Sequence, residues 1–345
     1  MRLVMTLILT CLAMFGTANV IGQDGEAIKT FQAPVISERV YPSYSFNQVR
    51  KQQEGWVEIN FMVDEAGKTF EPTVMDSMGP EVFQSKALEA LEKTTFTPAM
   101  DAGTPVSSST TLRYKFQIQE REKSARERFA TYYKRFQRAM GRNDRETAEK
   151  LIGLMEDTGA MSLYEAAYLN LAKFNFAVEY GDSETQLKYL KRALFFEDDQ
   201  TLETYLPVET ELQLWPVLFA LEANNKRFVE ALATFEIIKQ KNIVDAIDSL
   251  APVVSEIETL RNDDRAFVIS GKTDNVGRWG ICLLKDEFYL DNAQATINEI
   301  KLRCSRKYIF FKYTAETKYH VPAEYGACNM ELLGDADAAF DFVQL

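Results

Sequence analysis

The sequence predicts a multidomain α+β chain with three folded regions behind an export signal. Three observations predict it. A strand, a turn, a return strand, an amphipathic helix and a last strand fill residues 24–119. Apolar positions at helical spacing, in paired segments, fill 120–264. Short apolar runs punctuated by Gly, Asn, Asp and Pro fill 266–345. The length of 345 residues exceeds the ~250–300 residues at which single cores stop growing. With 46% hydrophobic and 26% charged residues, the composition is that of a folded chain. The net charge of −12 repels a phosphate backbone and argues against nucleic acid as the main partner.

Arg2 followed by the apolar run Leu3–Phe15, then Gly16, Thr17 and Ala18, has the grammar of a secretory signal peptide over residues 1–22. Cleavage near Ala18 is expected, with an uncleaved inner-membrane anchor as the alternative. Cys11 then belongs to the discarded peptide. Export places the mature chain in an oxidising compartment, where disulfides persist. Cys304 ends one predicted strand and Cys328 precedes another. Joining them closes a loop of roughly 25 residues, worth about 3 kcal/mol on the chain-entropy model. Cys282, inside an apolar run, is expected to be a buried free thiol.

Within residues 24–119, Trp56–Val63 alternates, with Val57, Ile59, Phe61 and Val63 on one face and Glu58 and Asn60 on the other. That predicts a half-buried strand. Asp64–Gly67 is turn chemistry, with Gly67 free to take positive φ. Lys68–Ser77 returns as the second strand. Pro80 suits a helix start, and Phe83, Ala87, Ala90 and Leu91 form one helical stripe. Thr111–Ile118 is the last strand, with Leu112, Tyr114, Phe116 and Ile118 inward and Arg113, Lys115 and Gln117 outward.

The charged run at 120–128 reads as the solvated start of a helix. Residues 125–264 read as wholly helical, in pairs: Phe129–Met140 with Arg145–Glu156, two helices within Ala166–Phe196, and Glu209–Asn224 with Lys226–Lys239. Ala167, Leu171, Phe174 and Val178 form one stripe, and Ser183 caps the next helix. Such recurrence suggests a stacked solenoid and loosely resembles tetratricopeptide-type repeats. In the last region, strands are expected at Trp279–Leu284, Ala295–Cys304, Lys307–Tyr313 and Met330–Leu333.

Catalytic signatures are missing. The sequence has no G-x-S-x-G, H-E-x-x-H, Walker or dinucleotide motif. The one histidine, His320, excludes a His-rich metal site and reads as a turn or surface residue. Asp335, Asp337 and Asp341 lack EF-hand spacing and read as a solvated loop. The expectation is a binding protein, not an enzyme, with no cofactor, metal or small-molecule substrate.

A series of residues carries a family resemblance. It runs from Tyr41-Pro42 through EGWVEINFMVDEAGK at 54–68, Val74, Ser77, Phe83, Ala87, Leu91, Phe96, Pro98 and Ala99 to Gly103, Pro105-Val106 and Phe116. Residues ~34–119 thereby resemble the C-terminal domain of TonB, the periplasmic energy transducer. The resemblance implies an antiparallel sheet with one helix on its face. It also implies capture of an extended segment of an outer-membrane transporter by the last strand, through β-augmentation. Carried onto this sequence, the partner-binding residues are Tyr41, Pro42, Arg113, Tyr114, Lys115, Phe116 and Gln117. The family's intramembrane histidine and proline-rich spacer have no counterpart here, which argues against direct motor coupling. The expected role is a periplasmic adaptor, accessory to TonB-dependent transport. The alternative is a scaffold that assembles an envelope complex without a transporter partner.

Overall fold

The computed structural model describes residues 31–118, 123–158, 161–198 and 201–345. The expected export signal, with Ala18 and Cys11, lies outside the described residues, as does the start of the charged run at 120–128.

The first region opens with β1 (Val35–Glu38) and a short helix α1 (Phe46–Arg50). It continues through β2 (Gly55–Val63), β3 (Thr69–Met78), α2 (Val82–Lys93), β4 (Thr95–Thr97), β5 (Ala99–Asp101), β6 (Thr104–Val106) and β7 (Ser108–Phe116). The main sheet has the order β3-β2-β7 and is antiparallel throughout. Gly67 turns β2 into β3 at φ +82, and a Cβ there would meet the Phe96 carbonyl oxygen at 1.9 Å. Val57, Ile59, Phe61, Val63 and Tyr114 pack with Phe83, Ala87 and Leu91 of α2 in one core. The short strands β1, β4, β5 and β6 are additions to the predicted order. The Phe96 segment not only ends the helix but pairs with β1.

The second region holds α3 (Glu127–Met140), α4 (Arg145–Glu156), α5 (Leu163–Tyr180), α6 (Ser183–Ala193), α7 (Val208–Asn224), α8 (Phe228–Gln240) and α9 (Val244–Asn262). Helices pack as α3 with α4, α5 with α6 and α7 with α8, and the pairs touch through α4 and α5 and through α6 and α7. Four readings need correction. The region is not wholly helical, because β8 (Phe196–Asp198) and β9 (Glu203–Thr204) form a small hairpin between α6 and α7. The cap of α6 is Asp182, whose carboxylate accepts from the Thr185 N–H at 2.7 Å, so Ser183 is the first helical residue. Val178 is exposed, while Ala167, Leu171 and Phe174 are buried. Among its described residues, 123–126 of the charged run are not helical, and Arg126 instead clamps the buried Glu165 carboxylate (Nε to Oε1, 3.0 Å).

The last region contains β10 (Phe267–Lys272), β11 (Arg278–Cys282), β12 (Glu287–Asp291), β13 (Ile297–Cys304), β14 (Tyr308–Lys312), β15 (Tyr319–His320), β16 (Cys328–Gly334) and β17 (Ala339–Gln344). These form two sheets, ordered β10-β17-β12-β15 and β11-β16-β13-β14, around a shared core that includes Phe288, Ile300, Leu332 and Phe342. Cys304 and Cys328 are opposite one another on β13 and β16 and form a disulfide, and Cys282 is free but only partly buried, not fully buried as expected. Asp341 is not in a loop. It lies in β17 and accepts from Ser270 and Asn292.

Trp56–Val63 is not half-buried. Trp56, Asn60 and Met62, on the face away from α2, are as buried as the inner face. The other two regions cover that face. Trp56 packs on Phe195 at 5.8 Å between ring centroids, and Asp76 of β3 receives Nε of Arg192 at 2.9 Å. A register irregularity in β2/β3 leaves Glu71 without a partner residue in β2. Its carboxylate meets Lys301 at 2.8 Å, while Arg303 reaches Thr73 at 2.7 Å.

Candidate functional site

The site is assembled at β7, which ends the sheet order on the side opposite β3. In an antiparallel strand, the N–H and C=O of one residue point the same way, and successive residues alternate. The Arg39 guanidinium donates to the Arg113 carbonyl at 3.0 Å, so the backbone of Arg113 faces away from β2. By the same alternation, Lys115 turns its N–H and C=O to that outer edge, while Tyr114 and Phe116 turn theirs to β2.

The seven predicted residues divide accordingly. Tyr41 is 74% exposed, and the Arg39 guanidinium lies 5.3 Å from its ring centroid. The same guanidinium lies 5.6 Å from the Tyr114 ring. Arg39, Tyr41, Arg113, Tyr114 and Lys115 line one recess of about 170 Å³. Pro42 is half-buried beside it and Gln117 is exposed just past the strand. Tyr114 and Phe116 do not present side chains to a partner. Both are buried in the core with α2, where the Tyr114 hydroxyl meets Thr94 Oγ1 at 3.0 Å and the Phe116 ring stacks on Phe83. Burial pushes the Tyr114 phenol above its usual pKa.

Arg113 is engaged by neighbours on the face of the sheet. It lies opposite Glu58 on β2, donates Nε to the Glu58 carboxylate at 3.1 Å and covers the Trp56 ring at 5.3 Å. The sequence reading missed Arg39. An arginine just before Tyr41-Pro42 gives no local sign that it will reach a strand 74 residues on.

A second feature lies behind the sheet. A cleft of about 770 Å³ is lined by Trp56, Asp76 and Arg113 together with residues of α6, α7 and α8. The indole N–H groups of Trp56 and Trp215, both in its walls, are buried without an acceptor among the described residues. Among the described residues no helix is long and apolar enough to cross a membrane, and none of the His, Cys, Asp and Glu side chains cluster as a metal site.

Residues 40–118 match a protein-family model described as Gram-negative bacterial TonB protein C-terminal. The match spans β2, β3, α2 and β7, and ends before the helical region. Among solved structures, the chain is similar to one titled "Solution NMR structure of Pseudomonas aeruginosa TonB CTD". The identity is 22%, over 26% of this chain and 92% of that one, with a TM-score of 0.24. No curated protein matches the chain. By the family-model match, residues 40–118 form a region of the TonB C-terminal kind. Two further regions, one helical and one of strands, lie beyond that match.

Proposed function

We propose that this protein is a periplasmic adaptor that captures an extended segment of an envelope protein along β7. The observation that carries the reading is the coincidence of the family match with the position of β7. The matched segment ends two residues past this strand, and among the described residues the strand stands at the end of its sheet order. An added strand would take affinity from backbone pairing along the outer edge of β7, displacing Arg39 from the Arg113 carbonyl, and selectivity from the recess beside Tyr41. An outer-membrane transporter is the partner class that the TonB resemblance suggests. The residues at 1–22 support export, with cleavage near Ala18. The helix pairs, read as a short tetratricopeptide-like solenoid, would offer a second binding surface. No catalytic role, cofactor or nucleic acid is part of this reading.

One observation favours a second reading, a scaffold for an envelope complex. The face of the sheet away from α2 is packed by both other regions, through Phe195, Arg192 and Arg303. That makes the TonB-like region one wall of a larger body rather than a module on a spacer. Affinity capture from solubilised outer membranes separates the two. Recovery of a transporter supports the adaptor, and recovery of other envelope proteins alone supports the scaffold.

A further inference from the structure

The last region has an edge strand that is built unlike a protected edge. β14 ends the order β11-β16-β13-β14. Its direction is fixed by two backbone bonds. The Lys307 carbonyl accepts from Cys304, and the Tyr313 N–H donates to Asn298. Odd-numbered residues therefore pair with β13, and Tyr308, Phe310 and Lys312 turn their N–H and C=O groups outward. Among the described residues these outward groups have no hydrogen-bond partner.

The side chains blunt the edge only at its end. Natural edges carry lysines, inward charges, prolines or bulges that prevent pairing, and β14 has only Lys312. β14 reads YIFFK and pairs with β13 residue for residue, without a bulge. Ile309 and Phe311 pack against the core, while Phe310 stands 62% exposed. Its neighbour Tyr308 is held in place, edge-on to Phe70 at 5.6 Å, and the Phe310 ring lies 6.0 Å from Tyr308.

We propose that β14 pairs with β14 of a second copy of this chain, antiparallel and centred on Phe310. The strand is self-complementary in that register. Phe310 falls opposite Phe310 of the second copy, an aromatic cross-strand pair. Lys312 falls opposite Tyr308, placing a cation beside an aromatic ring on each side of the two-fold axis. The outward groups of Tyr308, Phe310 and Lys312 then find partners together. A shift of the register toward the N-terminus sets Arg306 against Lys312, two like charges. So short an edge buries less than the ~1,000 Å² of a stable interface, so the dimer is reversible and forms with rising concentration.

Sedimentation equilibrium of the purified protein over a wide concentration range tests this. The expected result is a monomer–dimer equilibrium. Phe310→Thr keeps a strand-forming residue, removes the aromatic pair and weakens the dimer about two- to fivefold. Phe310→Pro removes an outward N–H donor, leaves the β13 pairing intact and abolishes the dimer. Circular dichroism and the Cys304–Cys328 linkage verify the fold of each variant. Lys115→Pro in β7 leaves the equilibrium unchanged, which separates this inference from the proposal for β7. A protein monomeric throughout the range overturns it. So does a dimer that the folded Phe310→Thr variant keeps at full strength, or one that the β7 variant dissolves.

Discussion

Trp56 of β2 and Phe195 at the end of α6 lie with ring centroids 5.8 Å apart, and both are buried. This contact makes the outer face of the TonB-like sheet an interior surface. It joins Trp56 to the same core as Leu171, Leu190 and Trp215. Trp56→Ala removes the largest side chain of that face and is expected to cost about 3–5 kcal/mol. Calorimetry should show one cooperative transition in the wild type and a separate, earlier one in the variant. A fragment limited to residues 31–118 should aggregate, because Trp56 and Met62 would be uncovered.

Glu54 ties three segments together. Its carboxylate accepts from the N–H of Ile118 at 3.0 Å and of Leu163, the first residue of α5, at 2.9 Å. A carboxylate at a helix N-terminus also meets the positive end of the helix dipole. Glu54→Ala leaves two backbone donors unmatched, each costing about 1–3 kcal/mol. Chemical denaturation should show the loss, with Glu54→Gln recovering part of it.

The contact of β3 with β13 is expected to weaken in acid. The Lys301 ammonium, bonded to the Glu71 carboxylate, holds that carboxyl below its usual pKa. A depressed pKa in the folded state contributes stability that is complete above the unfolded value, about 4.3, and is lost as pH falls through the folded value. Glu71→Gln should therefore show a shallower loss of stability on acidification than the wild type. Thermal melts from neutral pH downward measure it.

Cys282 should be inert in the native protein. It is partly buried on β11, and burial pushes its thiol up to about 12. An alkylating reagent near pH 8 should leave the folded chain unmodified and label this cysteine on unfolding. Reducing Cys304–Cys328 should cost about 3 kcal/mol, since the bridge spans a sequence separation of 24. Mass mapping and denaturation under reducing conditions check both.

How much was legible in the sequence differed from face to face. Val57, Ile59, Phe61 and Val63 alternate, so the inner face of β2 announces itself by period. The outer face does not. Glu58 and Asn60 look solvated, and that face is covered through contacts of Phe195 with Trp56, Arg192 with Asp76 and Arg303 with Thr73, all remote in sequence. At the candidate site, Tyr41 and the strand from Thr111 were readable from the family pattern. Arg39 was not, because a guanidinium meeting a strand carbonyl leaves no periodic trace. Asp182 and Ser183 are both good cap residues, and only geometry decides between neighbours. The strands β10, β12 and β17 alternate weakly between polar turns, and they emerge only when paired in the sheet.

The central claim is that β7 captures its partner by backbone pairing. Lys115 is the residue to change, because its N–H points to the outer edge and its side chain lies opposite Trp56. Capture from outer-membrane extract by wild type, Lys115→Ala and Lys115→Pro measures the claim most directly, with circular dichroism showing that each variant is folded. Loss of capture in the folded proline variant, with only a modest decrease in the alanine variant, is the predicted result. A folded proline variant that captures the same partner as well as wild type contradicts it.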